Sequence, residues 1–203
     1  MARTRDIKNY DDAKTRLLDT GMSLIRSESF SGIGINDVLK KSGVPRGSFY
    51  HYFKSKEAFG LEVAQYYHGL QIEGANQVLN DQTLTPIARL EAFFRGASEE
   101  FKTRNYAEGC LMCNLSTELA DTNDEFQKIL KKHWAELSSE VADCLAHIQL
   151  GDIGLGHLTN IEAADWLMNA WSGALVRMKA ERSEAPLQLF EKTIFNIKKG
   201  TRK

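Results

Sequence analysis

The stretch VPRGSFYHYFKSK, residues 44–56, sets five aromatic or imidazole rings (Phe49, Tyr50, His51, Tyr52, Phe53) beside three cations (Arg46, Lys54, Lys56). A buried core helix does not carry so many polar tips, and a solvated helix does not carry so many rings. Just upstream, INDVLKKS (residues 35–42) reads as a short helix that stops at Gly43, a residue suited to a left-handed cap. Pro45 then fits the first turn of a second helix, where its missing N–H has no partner to lose. Two short helices joined by a tight turn, behind a longer first helix, make a helix-turn-helix.

The spacing assigns the faces. Val38, Leu39 and Val44 supply a small core, and Phe49 and Phe53, four apart, close it from the second helix. Arg46, Gly47, Ser48, Tyr50, His51 and Tyr52 are left near or on the outer side. Gly47 lets a helix backbone approach a sugar-phosphate chain closely. The hydroxyls and the imidazole donate to phosphates or base edges, and Arg46 pairs with phosphate or guanine. Lys56 adds a cation beside the N-terminal amides of the next helix, which already favour an anion.

Outward from this segment the pattern is helical throughout, so the expected class is all-α. Alternating β-branched runs are absent, and prolines occur only at 45, 86 and 186. The first helix is expected over about residues 10–28, with Ala13, Leu17, Leu18, Met22, Leu24 and Ile25 as its apolar face. Ser55 N-caps a helix to about residue 80, with Glu57 in its first turn, and Pro86 opens another to about Arg104. A short helix follows over about Gly109–Ala120. Thr122–Glu125 and Thr159–Glu162 read as capping boxes for two long helices, with a loop over Gly151–Gly156 between them. Pro186 opens the last helix, which ends in the tail KKGTRK.

Composition narrows the function classes. Residues 1–62 hold 11 Lys/Arg against 8 Asp/Glu, while the remainder holds 15 against 19, so a basic head precedes an acidic body. That asymmetry suits a polyanion partner for the head. No uninterrupted apolar run approaches the roughly 18 residues of a membrane span. The N-terminus lacks the apolar segment of a secretory signal. Three cysteines do not make a disulfide framework. A cytoplasmic protein without membrane contact is expected, and no cofactor is implied. With neither a Gly-rich phosphate loop nor a nucleophile elbow, a catalytic role has no support.

Residues 43–57, GVPRGSFYHYFKSKE, resemble the recognition-helix signature of the TetR family of transcriptional repressors, in which a glycine and an aromatic pair precede Phe-x-x-Lys. The resemblance implies a three-helix DNA-binding domain (residues 1–55) followed by a six-helix effector-sensing and dimerisation domain (residues 56–203). It also implies homodimers bound to palindromic double-stranded operators. Dimerisation is expected through the last two long helices: Gly173 and Ala174 permit close approach, and Leu167, Ala170, Trp171, Leu175, Leu189, Phe190 and Ile194 supply apolar surface.

A second, narrower resemblance lies in EGCLMCNLSTELAD, residues 108–121, which is similar to the branch of that family that senses reactive electrophiles and oxidants. It implies that Cys110 is the responsive thiol. Near a helix N-terminus a thiolate is favoured, although Glu108 opposes it. Cys113 reads as a resolving thiol or second target. Lys179 shares the inward stripe of its helix with Trp171 and Leu175; it either depresses a thiol pKa or contacts an acidic effector, or extends its head to water. That branch also carries a lysine in the matching stretch.

Two cysteines three apart also suit simple packing, and Cys144 reads as a buried, inert thiol. The alternative effector is a small molecule held non-covalently, with Phe101, Met112, Trp134 and Trp166 as candidate walls. Remoter alternatives are a zinc site from Cys110, Cys113, Cys144 and His147, and a thiol/disulfide oxidoreductase; the latter needs a strand before its CxxC that residues 101–109 do not provide.

Overall fold

The structure is a computed structural model that describes residues 2–195, with side chains from residue 12 onward. Among these residues there are nine α-helices and no strand: α1 (Ala2–Ser27), α2 (Ile35–Ser42), α3 (Arg46–Tyr52), α4 (Lys56–Leu79), α5 (Pro86–Thr103), α6 (Leu111–Leu119), α7 (Asp124–Leu145), α8 (Asn160–Glu181) and α9 (Ala185–Phe195). The chain divides into two compact units. The first comprises residues up to 68 together with 111–130; the second comprises 69–110 together with residues from 131 onward.

Local chemistry sets most of the helix ends. Gly43 takes the left-handed conformation (φ 68°, ψ 16°) and donates its N–H to the Leu39 carbonyl, which stops α2 and turns the chain tightly into α3. Pro45 sits one residue earlier than expected, as the N-cap of α3, where its carbonyl accepts from Ser48 N at 3.0 Å. The Ser55 hydroxyl accepts from Ala58 N at 3.1 Å at the start of α4. Thr159 and Glu162 form the expected reciprocal box at α8.

Four expectations need adjustment. The first helix begins well before residue 10. Asn123, not Thr122, caps α7, its Oδ1 accepting from Glu125 N (3.0 Å) and Phe126 N (3.2 Å). Asx and Ser/Thr side chains compete for one capping role, and the residue directly before the first helical turn wins it. Part of the 151–156 loop is a 3₁₀ turn, Leu150–Ile153. Pro186 is the second residue of α9, and the expected tail 198–203 lies outside the described residues.

The first unit packs around three rings. Phe49, Phe53 and Phe59 lie with centroids 5.0–5.3 Å apart and are 0–1% exposed. Each such pair contributes roughly 0.5–1.5 kcal/mol beyond burial. Helix α1 approaches this cluster through Gly21, where a Cβ would collide with the Phe59 ring, and Gly60 of α4 makes the same allowance for Phe30.

The second unit has its own ring cluster: Phe94, Trp171 and Phe190, with centroids 4.8–5.2 Å apart, join α5, α8 and α9. This corrects the residue assignment for the dimer surface. Leu167, Trp171, Leu175, Phe190 and Ile194 are buried within the single chain and supply no external surface. Leu189 (59% exposed) and Gly173 of the expected set do face outward, beside Trp166 (43%) and Val176 (56%), while Ala170 and Ala174 are half-buried.

Candidate DNA-reading surface and thiol segment

Helix α3 is two turns long, and its faces divide cleanly. Phe49 is fully buried, and Phe53, the C-cap in extended conformation, is 1% exposed. Arg46, Gly47, Tyr50 and His51 are exposed, while Ser48 and Tyr52 are half-buried. At 3.6 residues per turn the four exposed residues fall within an arc of about 140°. That arc is one continuous surface backed by a rigid ring cluster.

Two of its side chains are pre-organised. The Arg46 guanidinium lies 5.9 Å from the Tyr50 ring centroid, one turn on, and Nη1 donates to Asn36 Oδ1 at 3.3 Å. Asn36 belongs to the first turn of α2 and is exposed. Its signal in the sequence is an amide at the open end of the first helix of a helix-turn-helix. Nothing within the chain lies within 4 Å of a Cβ placed on Gly47. Internal packing therefore gives no reason for glycine there.

Lys56 is the first residue of α4 and half-buried, with Nζ 4.7 Å from the centroid of the Phe30 ring. Its cation is thus held on a ring of its own unit. Glu57 beside it has a carboxyl held low by its own backbone N–H and by the Ser55 hydroxyl, so this first turn keeps a compensating negative charge.

The three cysteines are buried thiols, 5–9% exposed. Cys110 is the residue directly before α6, and Cys113 lies in that helix's first turn. Glu108 is ion-paired with Arg104 at 2.5 Å, which weakens the repulsion expected of it towards a nearby thiolate. Lys179, in the last turn of α8, is half-buried. Burial pushes its ammonium pKa down, Arg182 adds to this, and Glu108 opposes it. Cys144 donates its thiol to the Pro86 carbonyl at 3.5 Å, and burial raises its pKa against the pull of Arg89. Among the described residues, no group of three or more His, Cys, Asp or Glu could hold a metal ion.

Of the candidate pocket walls, Phe101 and Met112 are buried (4% and 1% exposed), Trp134 is half-buried and Trp166 is largely exposed. A cleft of about 320 Å³ opens elsewhere in the second unit, between α5 and α9. It is lined by Arg95, Ser98, Glu99, Lys102, Tyr106, Glu184, Leu187, Gln188 and Glu191, a polar set that includes none of the four. Its hydroxyls are engaged: Ser98 donates to Glu191 (2.6 Å) and Tyr106 to Glu184 (3.0 Å).

A short, ring-backed second helix presenting polar and cationic side chains defines a helix-turn-helix DNA-binding regulator. Residues 17–63 match the family described as bacterial regulatory proteins, tetR family, and residues 86–194 match the tetracyclin repressor-like C-terminal domain. The chain belongs to the TetR family. It is similar to the transcriptional regulator AcuR of Cereibacter sphaeroides (31% identical, covering 94% of this chain and 87% of that protein). It is likewise similar to the HTH-type transcriptional repressor DhaR of Mycobacterium sp. strain GP1 (30%, 96% and 93%). Among solved structures, the reduced form of NemR from E. coli superposes with a TM-score of 0.82 at 27% identity, over 92% of this chain and 96% of that one. The protein is thus a transcriptional regulator of the repressor type rather than an enzyme. No helix among the described residues is long and apolar enough to cross a membrane.

Proposed function

We propose that this repressor grips a palindromic operator as a homodimer through the outer face of α3, and that an electrophile or oxidant releases it by modifying Cys110. Arg46, Gly47, Ser48, Tyr50, His51 and Tyr52 contact DNA, with Lys56 adding its cation at the flank. Residues 1–55 form the reading head and 56–203 the sensing and pairing body. The apolar stripe of Trp166, Gly173, Val176 and Leu189 serves as the pairing surface, since it stays exposed in the single chain. A two-fold pair presents its α3 helices to half-sites about 34–36 Å apart or a multiple of that.

The observation that carries the release mechanism is the placement of Cys110. It is buried and immediately precedes α6, whose N-terminal amides favour a thiolate. Its sulfur adds to the electrophilic carbon of a conjugated carbonyl; the thiol proton leaves to water, and the adjacent carbon takes a proton back, so the step is a net addition. A close-packed interior has no room for the adduct, and the surrounding helices must shift. Cys113 serves as a second or resolving thiol, and Lys179, whose ammonium pKa burial lowers, serves as the effector-sensing cation. The similarity to NemR, solved in a reduced form, a state defined against an oxidised one, supports a redox-responsive thiol.

The second reading, a non-covalent effector, is favoured by the polar α5–α9 cleft, whose paired carboxylates, hydroxyls and cations suit a polar small molecule. One titration separates the two. Reduced protein is bound to the DNA upstream of its own coding sequence and followed by fluorescence anisotropy, with and without a stoichiometric maleimide, beside Cys110→Ser. Release of the parent but not of Cys110→Ser is the expected outcome; retention of both excludes the thiol switch and leaves the cleft.

A further inference from the structure

Helix α6 carries more than the thiol segment. Asn114 and Glu118 are four residues apart on one of its faces, and within the first unit both reach chain that is more than eighty residues away. The Asn114 amide donates to the carbonyls of Ile25 and Arg26, both at 3.2 Å. These carbonyls lie in the last turn of α1, where no intrahelical donor remains for them. Glu118 accepts from the backbone N–H of Phe30 (2.8 Å) and of Ser31 (2.5 Å), one on each carboxylate oxygen.

Those two amides belong to the segment that leads from α1 into α2. Its other anchor is the Phe30 ring, which packs 5.5 Å from Phe126 and under the Lys56 ammonium. Partial burial pushes the Glu118 carboxyl up, but hydrogen bonds from the Ser31 side chain and from the Ser31 and Phe30 amides, with the Lys56 charge adding least, hold it below its ordinary range. The end of one helix and the entry to the next are therefore fixed by two side chains of a third. Helix α3 follows α2 through the tight Gly43 turn, so this fixation propagates directly to it.

We propose that Asn114 and Glu118 are positioning residues for operator binding: they clamp the end of α1 and the entry to α2, and so set how α3 is presented. The proposal rests on α3 as the DNA-facing helix but not on the thiol switch. It would also give that switch a route, because α6, which starts one residue after Cys110, is a continuous helix of nine residues that carries both side chains.

The test uses the full chain carrying Glu118→Gln or Asn114→Ala. Gln replaces one accepting oxygen with an amide donor facing a backbone donor, and Ala removes the clamp on α1. Each variant is expected to bind upstream DNA about tenfold more weakly, with an unchanged salt slope because the phosphate contacts are the same in number. In the free protein, the amides of Phe30 and Ser31 are expected to exchange faster while those of α5 keep their protection.

Parent-like affinity in both variants overturns the proposal. So does a reduced salt slope, which would place these side chains at the DNA itself. If Glu118→Gln fails to fold, Glu118→Asp decides the matter: it keeps the charge but withdraws the carboxylate by one methylene, and its affinity must fall between parent and Asn114→Ala. If the parent itself does not bind DNA, the reading of α3 fails, and the exchange measurement still judges the clamp separately.

Discussion

The face of α3 and the Cys110–Cys113 segment are both short stretches rich in reactive groups, yet they are built in opposite ways. On α3 most polar tips are exposed and the rings of Phe49 and Phe53 are buried, so the polar face needs no repacking to be presented. Around α6 the thiols are 5–9% exposed, so an adduct on either must be accommodated by the packing around it. The first arrangement suits recognition, where pre-organised contacts avoid an ordering cost. The second suits switching, where chemistry is useful only if it forces a change of packing.

The largest effect is expected at the rings that back α3. Phe49→Ala removes a fully buried ring from a three-ring cluster and should cost about 3–5 kcal/mol of stability by chemical denaturation, with operator binding lost as well. An unchanged denaturation midpoint would mean that α3 is held by something else.

Next in size are the outward residues. Arg46→Ala and Tyr50→Ala should each weaken operator binding by roughly 1–3 kcal/mol while leaving stability within about 0.5 kcal/mol. If Arg46 meets a phosphate, its variant also loses about one unit of salt slope; if it reads a guanine, specificity relaxes instead.

Gly47→Ala sharpens the same contrast with opposite signs. Open space surrounds the site, so the helix should gain up to about 1 kcal/mol while operator binding weakens. Gains in both would remove the close approach to DNA.

The buried side is probed by labelling rates. Burial raises the Cys144 thiol pKa, so at any given pH its thiolate fraction is below that of an ordinary cysteine, and maleimide labelling should stay slow at neutral pH. Cys110 should label faster, measured by mass spectrometry of digested protein; equal rates would erase the distinction between sensing and packing thiols.

The smallest expected effect is the acid stability of the head. The Glu118 carboxyl is depressed in the folded state, so its contribution is complete above the unfolded carboxylate pKa of about 4.3 and fades as pH falls through the folded value. Glu118→Gln should flatten that part of the stability profile between pH 5 and acid unfolding, roughly the range where carboxylates titrate.

Features decided by near neighbours were legible in the sequence. Gly43 had to turn the chain, Ser55 had to cap α4, and Phe49 and Phe53 had to face inward, because each follows from residues at most four positions away. Even there, Asn123 displaced Thr122 as a cap, since two adjacent side chains could do one job.

Apolar stripes announced that Trp171, Leu175 and Phe190 would be buried, but not against what. Helical periodicity assigned them to a partner chain; instead Phe94, about eighty to a hundred positions upstream, packs on Trp171 and Phe190, and Leu175 is buried within the single chain. A periodic pattern records that a face leaves water, not which face it meets.

By itself, then, the sequence determined the helical class, the helix-turn-helix and the exposure of Arg46, Gly47, Tyr50 and His51 on α3 through short-range spacing and capping chemistry, and the family through the resemblance of residues 43–57. Only the tertiary structure decided the pairing of Arg46 with Asn36, the ring contacts that leave Trp166, Val176 and Leu189 outside, and the hold of Asn114 and Glu118 on α1 and the entry to α2. Those contacts join positions that no local rule relates; they exist because packing the apolar faces brought distant donors and acceptors within hydrogen-bonding reach.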